Sequence, residues 1–373
     1  MKKSILNLRS DVEKKLKNIS FHVLEAMSDL VRVIDAKGQV IFTNSAMDKM
    51  LGYDSIGTNI FYDEEADPKT ISRSTFLTKN TFVDEATIGE KYYSVKSSPV
   101  FDDVGKMVAA VEVYRDITAQ TMIRNELFKA NKKMTDDIRF SKLIQTSVLP
   151  RINNIGDFEF DYAYLPSDEL SGDIFDIIKI DDKKVGIYIA DVVGHGVSAS
   201  IMTMFIRQTM RSILEEAKKV RPSEVLVDLK KRFSELSLDD NQYFTIFYLV
   251  IDLEKKKVTY ANGGHNCEPL LISEEKKEFL KAKGKFISSI FKNERYEEHE
   301  RYISRGDELL FYTDGVIETK NIEGKMFGTE GLLAVEKGQK RFVDDIIKSL
   351  KKYRWGEQVD DLALLHIKRR KEC

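Results

Sequence analysis

The sequence predicts an α+β protein in three parts, and three observations lead to that fold class. Short β-branched runs joined by turn residues fill residues 20–117, a stretch free of glycine and proline follows at 118–149, and hairpins alternate with two helices over 150–370. Strands joined by tight turns pair antiparallel, and helices packed outside such sheets give a layered α+β domain. At 373 residues the chain has room for two or three domains.

Composition narrows the class of protein. Hydrophobic residues make up 42% of the chain, charged residues 32%, and the net charge is -2. We therefore expect no nucleic-acid binding, and the basic run 368–371 is interpreted as a solvated terminus. No apolar run approaches the ~18 residues that span a bilayer, and the N-terminus lacks the apolar core of a signal peptide. Cys267 and Cys373 have no disulfide or metal-ligand spacing, so we expect a cytoplasmic chain with reduced thiols and no membrane contact.

The first part opens with a predicted helical extension at residues 1–19 and continues into short strands. Two β-branched runs, 30–35 and 39–43, are joined by Asp35-Ala36-Lys37-Gly38, a strong hairpin signal. A helical stretch follows, with apolar residues at Ala46, Met47, Met50 and Leu51. Two further strands, 92–100 and 107–114, flank a second turn, and the segment closes on Asp116-Ile117-Thr118.

In their order and spacing these motifs resemble a PAS sensor domain over residues 20–117. The resemblance implies a domain that responds to a signal or a small ligand. The segment has no cysteine for covalent flavin chemistry, and its nearest histidine, His22, precedes the first strand, where a haem ligand would be unexpected. A packed core or a small metabolite fits better than either prosthetic group, and the PAS ligand stays unknown.

The second part, 118–149, predicts one long helix, because it consists of helix formers. At 1.5 Å per residue it would extend ~45 Å. A seam with alternating steps of four and three begins apolar and turns polar from Asp137: Ile123, Leu127, Ala130, Met134, Asp137, Ser141 and Gln145. This coiled-coil-like pattern fits a helix that changes its partner or register, and equally a rigid dimerising linker.

The third part predicts antiparallel sheets with two helices. Residues 175–180 and 185–190 form one expected hairpin, and 244–252 with 257–262 form another. The helices are expected at 198–218 and 222–236. A parallel, doubly wound sheet would need crossover connections that this order of elements lacks.

Four aspartates of this third part stand within three residues of a glycine or beside a second aspartate, and at or next to the end of an apolar run. They are Asp173, Asp191, Asp314 and Asp360. A carboxylate at the end of a buried strand lies at a sheet edge, and several gathered there cost several kcal/mol unless a cation or protons neutralise them. Carboxylate oxygens are the ligands that Mg²⁺ and Mn²⁺ prefer.

Residues 140–368 strongly resemble the metal-dependent PPM-type serine/threonine protein phosphatases, within them the bacterial branch similar to stage II sporulation protein E and the stress-response phosphatases. The resemblance rests on blocks that occur in order: Gln145-Thr146-Ser147-Val148-Leu149-Pro150, Ser171-Gly172-Asp173, Asp191-Val192-Val193-Gly194-His195-Gly196, Phe244-Thr245, Asn262-Gly263-Gly264-His265-Asn266, Thr313-Asp314-Gly315 and Asp360-Asp361. It implies a layered αββα domain with antiparallel sheets.

The resemblance also implies a site for two divalent ions, Mn²⁺ or Mg²⁺. Asp191 is expected to bridge them, with the backbone carbonyl of Val192 nearby. Asp173, Asp314 and Asp360 are expected to complete the set, directly or through water. Asp361 matches a position beside the ligand, and Asp176 would either bind an ion or orient a ligand.

Hydrolysis of a phosphate monoester also needs a proton for the leaving oxygen. His195 and His265 each lie in a glycine-rich turn and are the candidates, although either histidine could instead hold its loop by hydrogen bonds. The sequence offers no obvious arginine clamp for the phosphate.

The resulting hypothesis is a signal-regulated phosphatase acting on phosphoserine or phosphothreonine of a protein, by resemblance an anti-anti-sigma-type regulator. We expect a homodimer formed through the PAS domain and the helical linker. The alternative is a catalytically inactive interaction module that uses the phosphatase fold to bind a signalling partner. A PAS-linked histidine kinase is excluded, because no nucleotide-binding glycine motif follows the linker.

Overall fold

The computed structural model describes residues 22–61, 71–215, 220–291, 294–338 and 341–371. The chain divides into two compact units, one up to Lys133 and one from Met134. The expected helical extension at 1–19, and Cys373, lie outside the described residues. No helix of the described ranges combines the length and the apolar character needed to cross a bilayer.

The first unit is built on a five-stranded antiparallel sheet of order β2-β1-β5-β4-β3. The hairpin predicted at Asp35–Gly38 is present: the Gly38 N–H donates to the Asp35 carbonyl, with Gly38 at φ +85°. Two short helices, α1 (Ser45–Leu51) and α2 (Ser72–Thr78), lie between the second and third strands. The strands are β1 (Leu30–Asp35), β2 (Val40–Thr43), β3 (Phe82–Ile88), β4 (Lys91–Phe101) and β5 (Met107–Asp116).

A single 30-residue helix, α3 (Thr118–Ser147), follows β5. Its start is fixed by Asp116-Ile117-Thr118: the Asp116 carboxylate accepts from the Thr118 N–H, and the Thr118 hydroxyl accepts from the Tyr92 N–H. It ends before Pro150, which cannot continue a helix. The predicted long helix is confirmed, and the division between the two units falls inside it.

The second unit contains two antiparallel sheets, of order β14-β11-β10-β9-β8 and β13-β12-β15-β16-β7-β6. Both predicted hairpins are confirmed, as β8 with β9 and β10 with β11. The strands are β6 (Asn154–Ile155), β7 (Phe158–Leu165), β8 (Asp173–Lys179), β9 (Lys184–Val192), β10 (Phe244–Asp252), β11 (Lys257–Gly263), β12 (Leu270–Ile272), β13 (Lys277–Phe279), β14 (His299–Tyr302), β15 (Glu308–Tyr312) and β16 (Leu362–Arg369).

Helices cover the outer face of each sheet. Helices α4 (Val197–Glu215) and α5 (Pro222–Ser234) share a buried apolar cluster with the first sheet, and α8 (Phe342–Tyr353) shares one with the second. Two short helices, α6 (Asp314–Glu318) and α7 (Gly328–Leu333), lie between β15 and α8. The helix predicted at 198–218 is α4, with residues 216–219 outside the described ranges, and the one at 222–236 is α5, which ends two residues early.

The main core lies between the two sheets. Phe175 and Phe247 of the first sheet and Phe311 and Leu365 of the second belong to one buried cluster. Burying a side chain of this size stabilises the fold by about 1.5–3 kcal/mol. Helix, sheet, sheet and helix therefore stack in layers, and the predicted α+β fold with antiparallel sheets is confirmed.

Candidate metal centre

The candidate site lies where strands of both sheets end. In the first sheet Asp173, the first residue of β8, pairs directly with Asp191 near the end of β9. Thr245 of β10 pairs with Asp191 from the other side. Two carboxylates thus stand side by side because the antiparallel register of β8 and β9 places them opposite each other.

The second sheet supplies two more carboxylates by the same geometry. Asp314 begins α6, two residues after β15 ends, and Asp360 lies two residues before β16 begins. Since β15 and β16 are antiparallel neighbours, with Tyr312 opposite Leu364, the end of one and the start of the other lie at the same sheet edge.

These edges enclose a cavity of about 600 Å³. The structure brings five predicted site residues to its wall: Asp191, Val192, His195, Asp314 and Asp360. Asp173 and Asp361 are buried beside it, at 3% and 6% exposure. No lysine or arginine occurs among the described residues of the wall.

Burial and neighbouring negative charges raise the pKa values of Asp173, Asp191 and Asp360. Burial, and then the charges of Asp314 and Asp360, raise the pKa of Asp191 to about 8. Burial and the charge of Asp191 raise the pKa of Asp173 well above its usual range, and partial burial and Asp314 raise that of Asp360. Like charges held together in this way are relieved by a divalent cation, and the donors are hard oxygens, so these residues fit Mg²⁺ or Mn²⁺.

These residues suit a divalent cation in the type and charge of their donor atoms, but they are not already arranged as a complete set of metal ligands. Among the described residues, no group of three or more histidine, cysteine, aspartate or glutamate side chains has the geometry of a complete metal site. Glu318, four residues after Asp314 on α6, adds a further negative charge that raises the pKa of Asp191 and Asp360.

Asp173 has one carboxylate oxygen engaged within the protein. The Thr313 hydroxyl donates to its Oδ2 at 2.6 Å, while the Tyr164 hydroxyl donates to its backbone carbonyl at 3.0 Å. Thr313 directly precedes Asp314, so one residue of the second sheet orients a carboxylate of the first. The sequence blocks contain Thr313, but nothing in its spacing predicts this role.

Asp361 differs from its neighbour Asp360. Its Oδ1 accepts from the Ser167 N–H at 2.7 Å and the Ser167 hydroxyl at 3.0 Å, and its Oδ2 accepts from the Gly172 N–H at 2.7 Å. Both oxygens therefore hold backbone of the loop before β8. Gly315 is required beside it, because a Cβ there would lie 2.0 Å from the Asp361 carbonyl oxygen.

Asp176 is committed to an ion pair. It is fully buried and accepts from Arg211 of α4 at 2.8 and 3.1 Å, with Arg207 at 3.6 Å. This bidentate pairing accounts for a buried carboxylate without a metal. Of the two roles considered for Asp176, the structure supports neither a direct ligand nor the orientation of one.

The two histidines have different environments. His195 is exposed on the cavity wall, between Gly194 and Gly196, whose φ angles of +91° and +79° favour glycine. His265 is buried. Its Nε2 donates to the Tyr312 carbonyl at 3.2 Å. Its Nδ1 therefore accepts from the Thr245 hydroxyl, at 3.1 Å.

Burial lowers the pKa of His265 to about 4, so its ring is neutral near pH 7. Thr245 lies on β10 and Tyr312 on β15, so the neutral ring ties the two sheets together. Of the two alternatives considered for His265, this geometry favours holding its loop over proton transfer.

Comparison of the chain with known proteins identifies a matching family. The family profile described as Stage II sporulation protein E (SpoIIE) matches residues 181–370, just over half of the chain. Two relatives from Bacillus subtilis (strain 168) are each 29% identical: phosphoserine phosphatase RsbU over 213 residues and phosphoserine phosphatase RsbP over 198. These matches cover 55% and 51% of this chain, but 62% of RsbU and 47% of RsbP.

Among solved structures, the SiaA-PP2C domain of Pseudomonas aeruginosa is similar, with a TM-score of 0.57 and 20% identity. The match covers 64% of this chain and 98% of that domain. At this identity the likeness shows the fold.

Proposed function

Because the chain belongs to the stage II sporulation protein E (SpoIIE) family, we propose that it is a metal-dependent phosphatase acting on phosphoserine or phosphothreonine of a protein. The observation that carries the proposal is the cavity at which Asp191, Asp314 and Asp360 converge from the edges of two sheets. The raised pKa values of Asp191 and Asp360 mark a place where positive charge is strongly favoured.

Asp191 would lie between two divalent ions, Mg²⁺ or Mn²⁺, since the charges of Asp314, Asp360 and Asp361 all raise its pKa. Asp173, Asp314, Asp360 and the Val192 carbonyl would hold them further, directly or through water. When bound, the ions would supply an acidified water and neutralise the phosphate. Asp361 is assigned to the backbone of the loop before β8 rather than to an ion.

His195 is the candidate general acid. It is exposed on the cavity wall and lies in a turn that follows Asp191 by four residues. Its imidazolium would donate a proton to the departing serine or threonine oxygen, which is a poor leaving group without one. Asn266 lines the same cavity and offers a neutral donor to phosphate oxygens.

The substrate is proposed to be a phosphorylated protein of the anti-anti-sigma type. The support is likeness: the relatives RsbU and RsbP are phosphoserine phosphatases, and the chain shares the branch-specific sequence blocks. We also propose that the chain is cytoplasmic, because a substrate of this type would be found in the cytoplasm.

Regulation is proposed to come from the first unit. Its antiparallel sheet and short helices support the PAS-like interpretation of residues 20–117. Helix α3 leaves large apolar side chains in solvent, including Ile123 at 66%, Leu127 at 60% and Met134 at 62% exposure. A second copy of the chain would cover them, and a homodimer through this helix and the PAS-like unit is therefore proposed.

The decisive experiment measures phosphate release from a phosphoserine-bearing anti-anti-sigma protein with and without Mn²⁺. Asp191→Asn removes the central charge and is expected to lower turnover by at least about 10³-fold while the protein still unfolds cooperatively. Asp182→Asn, a change of the same type in an exposed turn, is expected to leave turnover unchanged. Full activity of Asp191→Asn, or no Mn²⁺-dependent release from the unsubstituted protein, would contradict the proposal.

A further inference from the structure

Gln145, in the last turn of α3, is buried although the residues after it are exposed. Its side chain is 2% exposed, whereas Thr146 and Ser147 face solvent. The heptad seam predicted from the sequence ends on this residue, but its amide points into the second unit. A buried amide in a helix that leaves most of its polar residues in solvent needs a specific reason.

The amide of Gln145 makes a two-way hydrogen-bonded pair with the backbone of Ser171. Its Nε2 donates to the Ser171 carbonyl at 2.7 Å, and its Oε1 accepts from the Ser171 N–H at 3.1 Å. Nε2 also donates to the Thr203 hydroxyl of α4 at 3.2 Å. Three of the amide's hydrogen-bonding positions are thus used, two of them on one backbone residue.

Ser171 begins the loop that delivers Asp173 to the site. The Ser171 hydroxyl accepts from the Asp173 N–H at 3.1 Å, and the next residue, Gly172, donates its N–H to Asp361. Gly172 also has little room for a side chain, because a Cβ would lie 3.1 Å from the carbonyl oxygens of Val192 and Gly194. The loop is held by β9 and the start of β16 on two sides, and by Gln145 on the third.

We propose that Gln145 is a positioning residue that sets the Ser171–Asp173 loop, and through it the Asp173 carboxylate, from the last turn of α3. The inference rests on the proposed function in one respect, the role of Asp173 as a metal ligand. Without Gln145 the buried Ser171 N–H and carbonyl lose their partners together, so one of the three attachments of the loop is lost and its position is less fixed.

The end of α3 has further contacts that make this a firm attachment. Arg207 of α4 donates to the Val148 carbonyl at 3.1 Å, and Lys142 pairs with Glu169, two residues before Ser171, at 2.9 Å. A displacement or rotation of the last turn of α3 therefore acts on the Asp173 loop without an intermediate element. Such a movement would change the affinity of the centre for a metal ion, because Asp173 is one of its proposed ligands.

The test compares Gln145→Met with Gln120→Met, the same substitution at an exposed position of the same helix. The first readout is amide hydrogen exchange of the peptide 166–175 in metal-free full-length protein. We expect Gln145→Met to accelerate exchange in this peptide about tenfold, because a buried N–H has lost its acceptor, and Gln120→Met to leave it unchanged.

The second readout is Mn²⁺ binding, followed by the EPR signal of free Mn²⁺. Gln145→Met is expected to raise the dissociation constant about tenfold, while turnover at saturating Mn²⁺ stays within about threefold of the unsubstituted protein. A merely structural role would lower the amount of folded protein and leave the Mn²⁺ concentration dependence unchanged. Unchanged exchange and unchanged Mn²⁺ affinity would overturn the proposal.

If Gln145→Met does not fold, Thr203→Val decides, since it keeps the buried volume and removes one partner of the amide. It is expected to shift exchange and Mn²⁺ affinity in the same direction by about threefold, and no shift would overturn the proposal. The proposed function fails separately: if the unsubstituted protein neither binds Mn²⁺ nor hydrolyses the phosphoprotein, the exchange measurement still tests Gln145.

Discussion

The carboxylates of the centre differ in what their oxygens already bind. Asp361 has both oxygens occupied by protein N–H and O–H groups, and Asp173 has one oxygen bound by Thr313. Asp360 uses one oxygen to accept from the Asp361 N–H and is otherwise exposed. The two adjacent aspartates therefore differ in role: Asp361 holds the protein backbone, and Asp360 is available to a cation.

This difference predicts that substitution of Asp361 lowers stability, whereas substitution of Asp360 weakens metal binding. Asp361→Asn places an amide N–H against a backbone N–H, so it is expected to lower the free energy of unfolding of the metal-free protein by about 1–3 kcal/mol. Asp360→Asn is expected to leave that stability within about 0.5 kcal/mol and to weaken Mn²⁺ binding. Urea unfolding in EDTA and Mn²⁺ titration measure the two quantities, and the reverse pattern would exchange the assignments.

The roles of His195 and His265 can be distinguished by comparing substrates whose leaving groups differ in their need for a proton. His195→Gln is expected to slow hydrolysis of phosphoserine by about 10²-fold or more, but to affect p-nitrophenyl phosphate little, because nitrophenolate leaves without a proton. His265→Gln serves as the comparison, since it disturbs the tie between Thr245 and Tyr312 and should lower both rates by a similar factor. Equal loss on both substrates in His195→Gln would contradict a general acid.

At the scale of elements, α3 has two unlike ends. Its first half carries the exposed apolar side chains Ile123 and Leu127, and an ion pair at 3.7 Å joins Arg124 to Glu85 of β3. Its last turn buries Gln145 against the Asp173 loop. Gln145 at the polar end of the predicted seam is thus explained by its hydrogen bonds to that loop, whereas Asp137 of the same seam is exposed.

A dimer formed by the apolar half of α3 makes a direct prediction. Leu127→Glu puts a charge into the seam and is expected to raise the dimer dissociation constant at least about tenfold, as measured by light scattering over a dilution series. Lys129→Glu, also exposed on α3 but off the seam, is the matched control. A chain that is monomeric before substitution, or a dimer indifferent to Leu127→Glu, would exclude this interface.

At the scale of the whole molecule, the site exists because two sheets end at one place. Asp191 comes from one sheet, while Asp314 and Asp360 flank strands of the other, and His265 joins the two through Thr245 and Tyr312. Burial of Phe247 and Phe311 between the sheets keeps these edges in register. The geometry of the site therefore depends on the core packing between the two sheets.

Much of this architecture was predictable from local patterns. The hairpins, the long helix, the antiparallel sheets and four of the aspartates follow from strand periodicity, turn residues and the resemblance to known phosphatases. Such features are encoded over a few residues, because each depends on which face of an element is buried and on the backbone angles its turns require.

The sequence by itself determined the elements, the family and the residue types available to a metal. The tertiary structure alone decided which carboxylate oxygens are already bound, how Asp176 pairs with Arg211, why His265 is neutral and where Gln145 points. The physical reason is distance along the chain: Thr313 reaches Asp173 across 140 residues, and Gly172 reaches Asp361 across 189. Hydrogen bonds of that separation depend on sheet register and packing, which no local pattern contains.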